Sequence, residues 1–179
     1  MIVLNTIKLL RKSMTLLVRE AQTKDAQDIV NILNPIIEEG LFTILDITFS
    51  VEDEEQFIQD FPERGVFHVA LNEEGSSVVG FQNVEPFAAY THAFDHVGII
   101  GTFVDASCRR QGVASILFKA TFNLARSKGY EKLFAYVRED NPNALATYLR
   151  QGFEVVGTAK KHAKVRGKYI DEILIEKFL

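Results

Sequence analysis

The stretch Arg109-Arg110-Gln111-Gly112-Val113-Ala114-Ser115 constrains this chain more than any other, because of what flanks it. Before it, His96-Val97-Gly98-Ile99-Ile100-Gly101-Thr102-Phe103-Val104-Asp105 is rich in β-branched residues and reads as a strand. After it, Val113, Ile116, Leu117, Ala120 and Leu124 recur at helical spacing and form one apolar stripe. A strand that turns into a helix through glycine leaves the first amides of that helix free. With the helix dipole behind them and two arginines beside them, those amides can seat a phosphate-bearing ligand. Two common phosphate loops do not fit. No lysine follows Gly112, as Gly-x4-Gly-Lys-Ser/Thr requires, and a dinucleotide fingerprint needs three glycines where this run has one.

A second motif lies downstream. Leu133-Phe134-Ala135-Tyr136-Val137 reads as a strand, followed by Asn141-Pro142-Asn143-Ala144-Leu145-Ala146-Thr147-Tyr148-Leu149-Arg150-Gln151-Gly152-Phe153. Asn141 suits an N-cap, Pro142 the first helical position, and Gly152 the left-handed residue past the end. Arg-x-x-Gly-x-Ala in the first motif, with Asn141, Ala144, Tyr148 and Gly152-Phe153 at their spacing in the second, resembles the GNAT superfamily of N-acetyltransferases. Lys164-Val165-Arg166-Gly167-Lys168-Tyr169-Ile170-Asp171 resembles the Lys-x-x-Gly-x-aromatic-x-Asp signature of its phosphinothricin N-acetyltransferase branch. Arg19-Glu20-Ala21, Asp25 and Asn34 look like that branch's opening strand and helix. The resemblance spans residues 15 to 179 and is weakest from Leu41 to Phe61.

The resemblance implies an α/β fold with a mixed, twisted, splayed central sheet flanked by helices, and acetyl-CoA as co-substrate. It implies that Arg109, Arg110, Gln111, Gly112, Val113, Ala114 and Ser115 grip the pyrophosphate. The pantetheine arm would enter the splay and meet the backbone of Thr102, Phe103 and Val104, with Asn141 capping its helix and bonding a pantetheine amide. Tyr148 would be the acid that meets the departing thiolate. In the branch a glutamate often precedes the cofactor-binding valine by five residues; here that position is Ile99, which accepts no proton. Glu85, His96 and Asp95 remain as candidate bases, beside water-mediated deprotonation without a dedicated base. Gly98 and Gly101 fit a bulged, opened strand.

Composition agrees with one soluble domain. The chain has 179 residues, 47% of them hydrophobic, and a formal net charge of −4. That charge argues against a nucleic-acid surface, which calls for a clustered basic face. No apolar run approaches the roughly 18 residues of a membrane span. Cys108 is the single cysteine, so no intrachain disulfide forms. Residues 1–13 read as a non-essential extension before Met14, and 14–179 as one catalytic domain. Their apolar residues precede their basic ones, the wrong order for a secretory signal, and the expected location is cytoplasmic.

The remaining elements follow the same order. A strand at 15–20 leads to a helix from Lys24 to Glu39, capped near Thr23 and broken around Pro35. An acidic helix follows at 51–61, where Glu52-Asp53-Glu54-Glu55 reads as a solvated start. Strands 66–71 and 78–85 form a hairpin around Asn72-Glu73-Glu74-Gly75. Strand 96–105, helix 112–128, strand 132–137, helix 142–151 and strands 153–162 and 168–178 complete the domain. His68 reads as a strand residue, and His92 and His162 have no partner at metal-ligand spacing, so no metal is expected. The branch resemblance implies a small amine acceptor, such as an amino acid or analogue, and a homodimer. Leu41-Phe42-Thr43-Ile44-Leu45 is expected to line the acceptor site with apolar groups and favour an apolar or methionine-like acceptor. A polyamine, aminoglycoside or protein N-terminus is the alternative acceptor, and a non-catalytic acyl-CoA sensor the alternative function.

Overall fold

The chain builds seven strands into one sheet and covers it with helices on its two faces. A computed structural model describes residues 16–72 and 74–179; the expected extension at 1–13 and Glu73 of the hairpin turn lie outside the described residues. In chain order the elements are β1 (Leu17–Glu20), α1 (Ala26–Glu39), α2 (Val51–Gln59), β2 (Val66–Leu71), β3 (Val78–Pro86), β4 (Val97–Val104), α3 (Val113–Ser127), β5 (Lys132–Arg138), α4 (Pro142–Arg150), β6 (Glu154–Val165) and β7 (Lys168–Phe178). The strand order is β1-β2-β3-β4-β5-β7-β6. Neighbouring strands are antiparallel except β4 and β5, which are parallel. No described helix is long and apolar enough to cross a membrane.

Alternation along the strands divides the interior in two. Val66, Val84, Ile100, Leu133, Ala135, Val137 and Ile175 point to one face, where Phe118 of α3 and Tyr148 of α4 close the core. Phe67, Val69, Leu71 and Phe81 point to the other, beneath Ile29, Ile32, Leu33, Ile36 and Ile37 of α1. That isoleucine-rich stripe explains a departure from expectation. Pro35 removes one helical hydrogen bond, yet α1 runs on unbroken to Glu39, because apolar residues on both sides of the proline are held against the sheet. The helix also starts later than expected, after a 3-10 turn over Thr23–Asp25. There Asp25 pairs with Arg19 of β1 at 2.6 Å, joining the two elements.

Two further expectations change on the structure. Glu54 is buried instead of solvated: α2 packs against α1, and Glu54 sits on the packed side of the helix. The β3–β4 ladder runs from Gly80↔Val104 to Pro86↔Gly98 without a shift, so Gly98 and Gly101 mark no bulge. Both make room for side chains instead. A Cβ on Gly98 would meet Val84 at 2.5 Å, and one on Gly101 would meet Asn83 Oδ1 at 2.7 Å.

Candidate active site

The sheet opens where the chemistry is expected. β4 and β5 pair only over Val97↔Lys132, Gly98↔Leu133 and Ile99↔Phe134, although both strands continue well beyond. Past Ile99 the two backbones separate. Asp105 N donates to Val79 O and Phe87 N to Val97 O, so odd-numbered residues of β4 bond to β3. By the alternation of an antiparallel pair, the N–H and C=O groups of Thr102 and Val104 turn away from β3 and into the gap. Arg109 Nε reaches Val104 O from that side at 3.4 Å. An extended amide chain laid in the gap would meet strand-like donors and acceptors there.

At the open end stands the glycine turn that is expected to seat an anion. Gly112 caps α3 in the left-handed region, with φ +90°, and no side chain caps the helix. No acid lies in the first turn of α3, so the dipole's positive end is not neutralised within the helix. A Cβ on Gly112 would meet nothing within 4 Å. Val113 is buried beneath Gly80 and anchors the turn, while Ala114 and Ser115 follow at its surface. Arg110 holds φ +61°, a left-handed conformation uncommon for its residue type. The Arg109 guanidinium lies over the Phe42 ring at 4.7 Å, at the mouth of the gap. Gln111 Nε2 donates to Ser107 O and steadies the loop. Phe103 turns to the α1 face and stacks on Phe81.

Tyr148 enters the gap from the α3 face. Its ring is packed edge-on against Phe118 and Phe153, and its hydroxyl lies 3.0 Å from Thr102 Oγ1. Gln82 Nε2 donates to the same Thr102 oxygen at 2.8 Å. Burial pushes the Tyr148 phenol up to about 12, so it stays protonated as a donor across the working pH range. Asn141 accepts from Ala144 N at 3.1 Å as the α4 cap, and its Nδ2 reaches Phe42 O at 3.4 Å.

Of the candidate bases, Glu85 lies nearest the gap. Glu85 pairs with Ile99 in the β3–β4 register and shares its face. A carboxylate on the neighbouring strand thus stands beside Ile99, the position at which the resemblance leads one to expect a glutamate. Burial raises the Glu85 carboxyl above its ordinary value. His96 is exposed, and its carbonyl accepts from Glu131 N and Lys132 N at the closed end of the β4–β5 pair. Six residues separate it from Thr102, about 20 Å along a strand. Asp95 lies at that end too, paired with Arg64 and His92. Neither approaches the reaction zone.

Arg138 and Asn34 are not legible in the sequence as residues that hold the loop beside the gap. Arg138 is almost fully buried at the end of β5. It donates to Gly40 O and Thr43 O at 2.9 and 2.8 Å and pairs with Asp140, pinning the α1–α2 loop over the sheet. Asn34 clamps the far end of that loop through Phe49, with bonds of 2.9 and 3.0 Å. Phe42 and Leu45 are drawn against the α1 core, while Leu41 and Ile44 of the same loop stay exposed. The signature residue Asp171 serves the fold: it accepts from Lys161 N and Lys160 Nζ where β6 shifts register against β7. Among the described residues no three His, Cys, Asp or Glu side chains gather as metal ligands.

The comparisons with known proteins fit this geometry. Bacillus subtilis YwnH, whose name assigns it provisionally to the phosphinothricin acetyltransferases, is 26% identical over 153 residues, covering 86% of this chain and 93% of that one. The ribosomal-protein-alanine N-acetyltransferase of Brucella melitensis superposes with a TM-score of 0.84 at 25% identity, over 91% of this chain and 99% of that one. A phosphinothricin acetyltransferase of Sinorhizobium meliloti, solved with acetyl-CoA, gives a TM-score of 0.85 at 21% identity, over 93% and 89% of the two chains. Residues 28–153, which hold the gap, the anion seat and Tyr148, match the profile of the Acetyltransferase (GNAT) family. With the splayed sheet and the glycine-turned helix in place, the chain belongs to the GNAT family of acetyl-CoA-dependent N-acetyltransferases.

Proposed function

We propose that the protein transfers the acetyl group of acetyl-CoA directly to the primary amine of a small molecule of amino-acid type, both substrates being bound together. The observation that supports this most is the β4–β5 gap with Tyr148 at its wall and Glu85 on the opposite face of the sheet. Acetyl-CoA supplies a thioester carbonyl. The residues from Arg109 to Ser115 are suited to its pyrophosphate, and the free backbone of Thr102 and Val104 to its pantetheine amides. A β4 N–H in the gap can also stabilise the oxyanion formed on attack.

Glu85 takes a proton from the acceptor ammonium, directly or through water. The amine then adds to the carbonyl and the C–S bond breaks. Full proton transfer from a phenol near 12 to a thiol of ordinary pKa, about 8.5, would be uphill by about 5 kcal/mol. Tyr148 therefore acts chiefly by donating a hydrogen bond to the sulfur as charge develops on it. An intact Tyr148 and a carboxylate beside Ile99 favour turnover over a sensor role. Thiol release from acetyl-CoA should be followed across single amino acids, polyamines, aminoglycosides and an alanine-terminated peptide. Release with amino acids is the expected result; release confined to polyamines or to the peptide would replace the acceptor class, and release with none would remove the catalytic reading.

A further inference from the structure

We propose that Asn83 and Glu85 together seat the acceptor nitrogen, Asn83 Oδ1 accepting one N–H while Glu85 removes a proton from the same atom, which limits the acceptor to primary amines. The inference rests on the gap being the site of acetyl transfer. Asn83 pairs with Gly101 and Glu85 with Ile99, so the two side chains stand next to each other on the face opposite Tyr148. Asn83 Nδ2 donates to Glu85 Oε1 at 3.0 Å. A carboxylate only accepts, so Glu85 determines which end of the amide is nitrogen, and Oδ1 must face away from it. That oxygen lies over Gly101, where a Cβ would approach to 2.7 Å. Among the described residues no donor reaches it. Gly101 adjoins Thr102, the partner of the Tyr148 hydroxyl. A free acceptor oxygen and a carboxylate bonded to the same amide thus lie along β4 from Ile99 to Gly101, next in the chain to Thr102 and on the face opposite Tyr148.

The proton count explains the selectivity. An ammonium acceptor gives one proton to Glu85 and becomes a neutral amine with two N–H groups and a lone pair. The lone pair forms the N–C bond. One N–H is held by Asn83 Oδ1, and the other proton is lost as the C–S bond breaks and its electron pair leaves on sulfur. The thiolate, hydrogen-bonded by Tyr148 as it forms, takes its proton from solvent, so ammonium and thioester yield amide, thiol and one proton. A secondary amine has a single N–H to lose and none for Asn83. Gly101 keeps the amide in place, because any side chain there would displace it.

Two measurements test the seat. In the first, kcat/KM is compared for the fastest amine of the panel and its N-methyl derivative, in wild type, Asn83→Ala, Gly101→Ala and the double variant. Wild type should reject the N-methyl amine by at least about 100-fold, and Asn83→Ala should narrow that ratio about tenfold by losing rate on the primary amine alone. Gly101→Ala should reproduce this loss in wild type and add nothing to Asn83→Ala. An unchanged ratio in Asn83→Ala, or additive losses in the double variant, would overturn the proposal. The second uses carboxyl-carbon NMR and no acceptor. Losing the Asn83 donor should raise the Glu85 titration midpoint by about half a unit or more in Asn83→Ala; an unmoved midpoint would overturn the proposal. If no amine in the panel reacts, the transfer reading falls while this titration still decides whether Asn83 holds Glu85.

Discussion

Tyr148 and Thr102 meet oxygen to oxygen at 3.0 Å on the wall of the β4–β5 gap, where either hydroxyl can be the donor. Gln82 Nε2 donates to Thr102 Oγ1; when Thr102 in turn donates to Tyr148, the phenolic proton is free for the gap. Gln82 is wholly buried, and its Oε1 has no partner. An orphaned buried acceptor costs about 1–3 kcal/mol.

Tyr148→Phe keeps the ring that Phe118 and Phe153 pack against and removes only the donor. Its kcat should fall about 10²–10³-fold, the typical worth of one preorganised donor to developing charge. Acetyl-CoA affinity should hardly change. Single-turnover kinetics on the variant, with titration calorimetry for affinity, check this; unaltered turnover with chemistry rate-limiting returns Tyr148 to a purely packing role.

Gly112→Val tests the anion seat. The space around a Cβ there is open, so crowding within the protein is not the obstacle. The obstacle is φ +90°, which a β-branched residue adopts only under strain. The loop should therefore re-form with its amides turned from the pyrophosphate site, and CoA affinity should drop at least about 100-fold while the core around Val113 stays folded. Calorimetry giving wild-type affinity would separate the loop from cofactor binding.

What could be read in advance was local grammar. Asn141, Pro142 and Gly152 mark α4 by capping rules that act within a few residues, and Gly112 marks the strand-to-helix turn in the same way. Tyr148 is marked by the resemblance of that helix to the GNAT motif. What could not be read depends on register and on packing at a distance. That Glu85 stands beside Ile99, and Asn83 beside Gly101, follows from how β3 slides along β4, and no local pattern reports it. Arg138 lies just past the expected strand 132–137, and its role comes from two carbonyls some 95 residues earlier in the chain. Phe42 and Leu45 belong to the core only because Asn34 and Arg138 pin their loop. Pro35 misled as a helix breaker because the isoleucines around it outweigh one missing hydrogen bond.

Glu54 makes a stability prediction. It is 5% exposed, Oε1 has no partner, and burial raises its carboxyl to about 7 from an ordinary 4.5. The folded state therefore holds this proton more tightly than the unfolded one. Stability from this group is fully present below about pH 4.5 and is lost as pH rises through 7, by at most roughly 3 kcal/mol. Glu54→Gln should be more stable than wild type at pH 8, with the difference closing toward pH 4.5. Urea melts at the two pH values check the sign; a constant difference would show that Glu54 does not change protonation on folding.

Glu85→Gln tests the base, and its pH dependence separates chemistry from packing. Burial raises the Glu85 carboxyl above its ordinary range, so it becomes a competent base only above that raised value. From there up to the acceptor's own pKa most acceptor molecules are ammonium, and wild type gains from a carboxylate that removes the proton at the site. The variant must wait for the neutral fraction of free amine, whose log concentration rises one unit per pH unit. Its kcat/KM should thus lie about 10²-fold below wild type near neutral pH and converge with it as pH nears the acceptor's pKa. Gln keeps the shape and can still bond to Asn83, so the deficit reads proton removal and not a collapsed strand. Parallel profiles for the two proteins would leave proton removal to water and take Glu85 out of the chemistry.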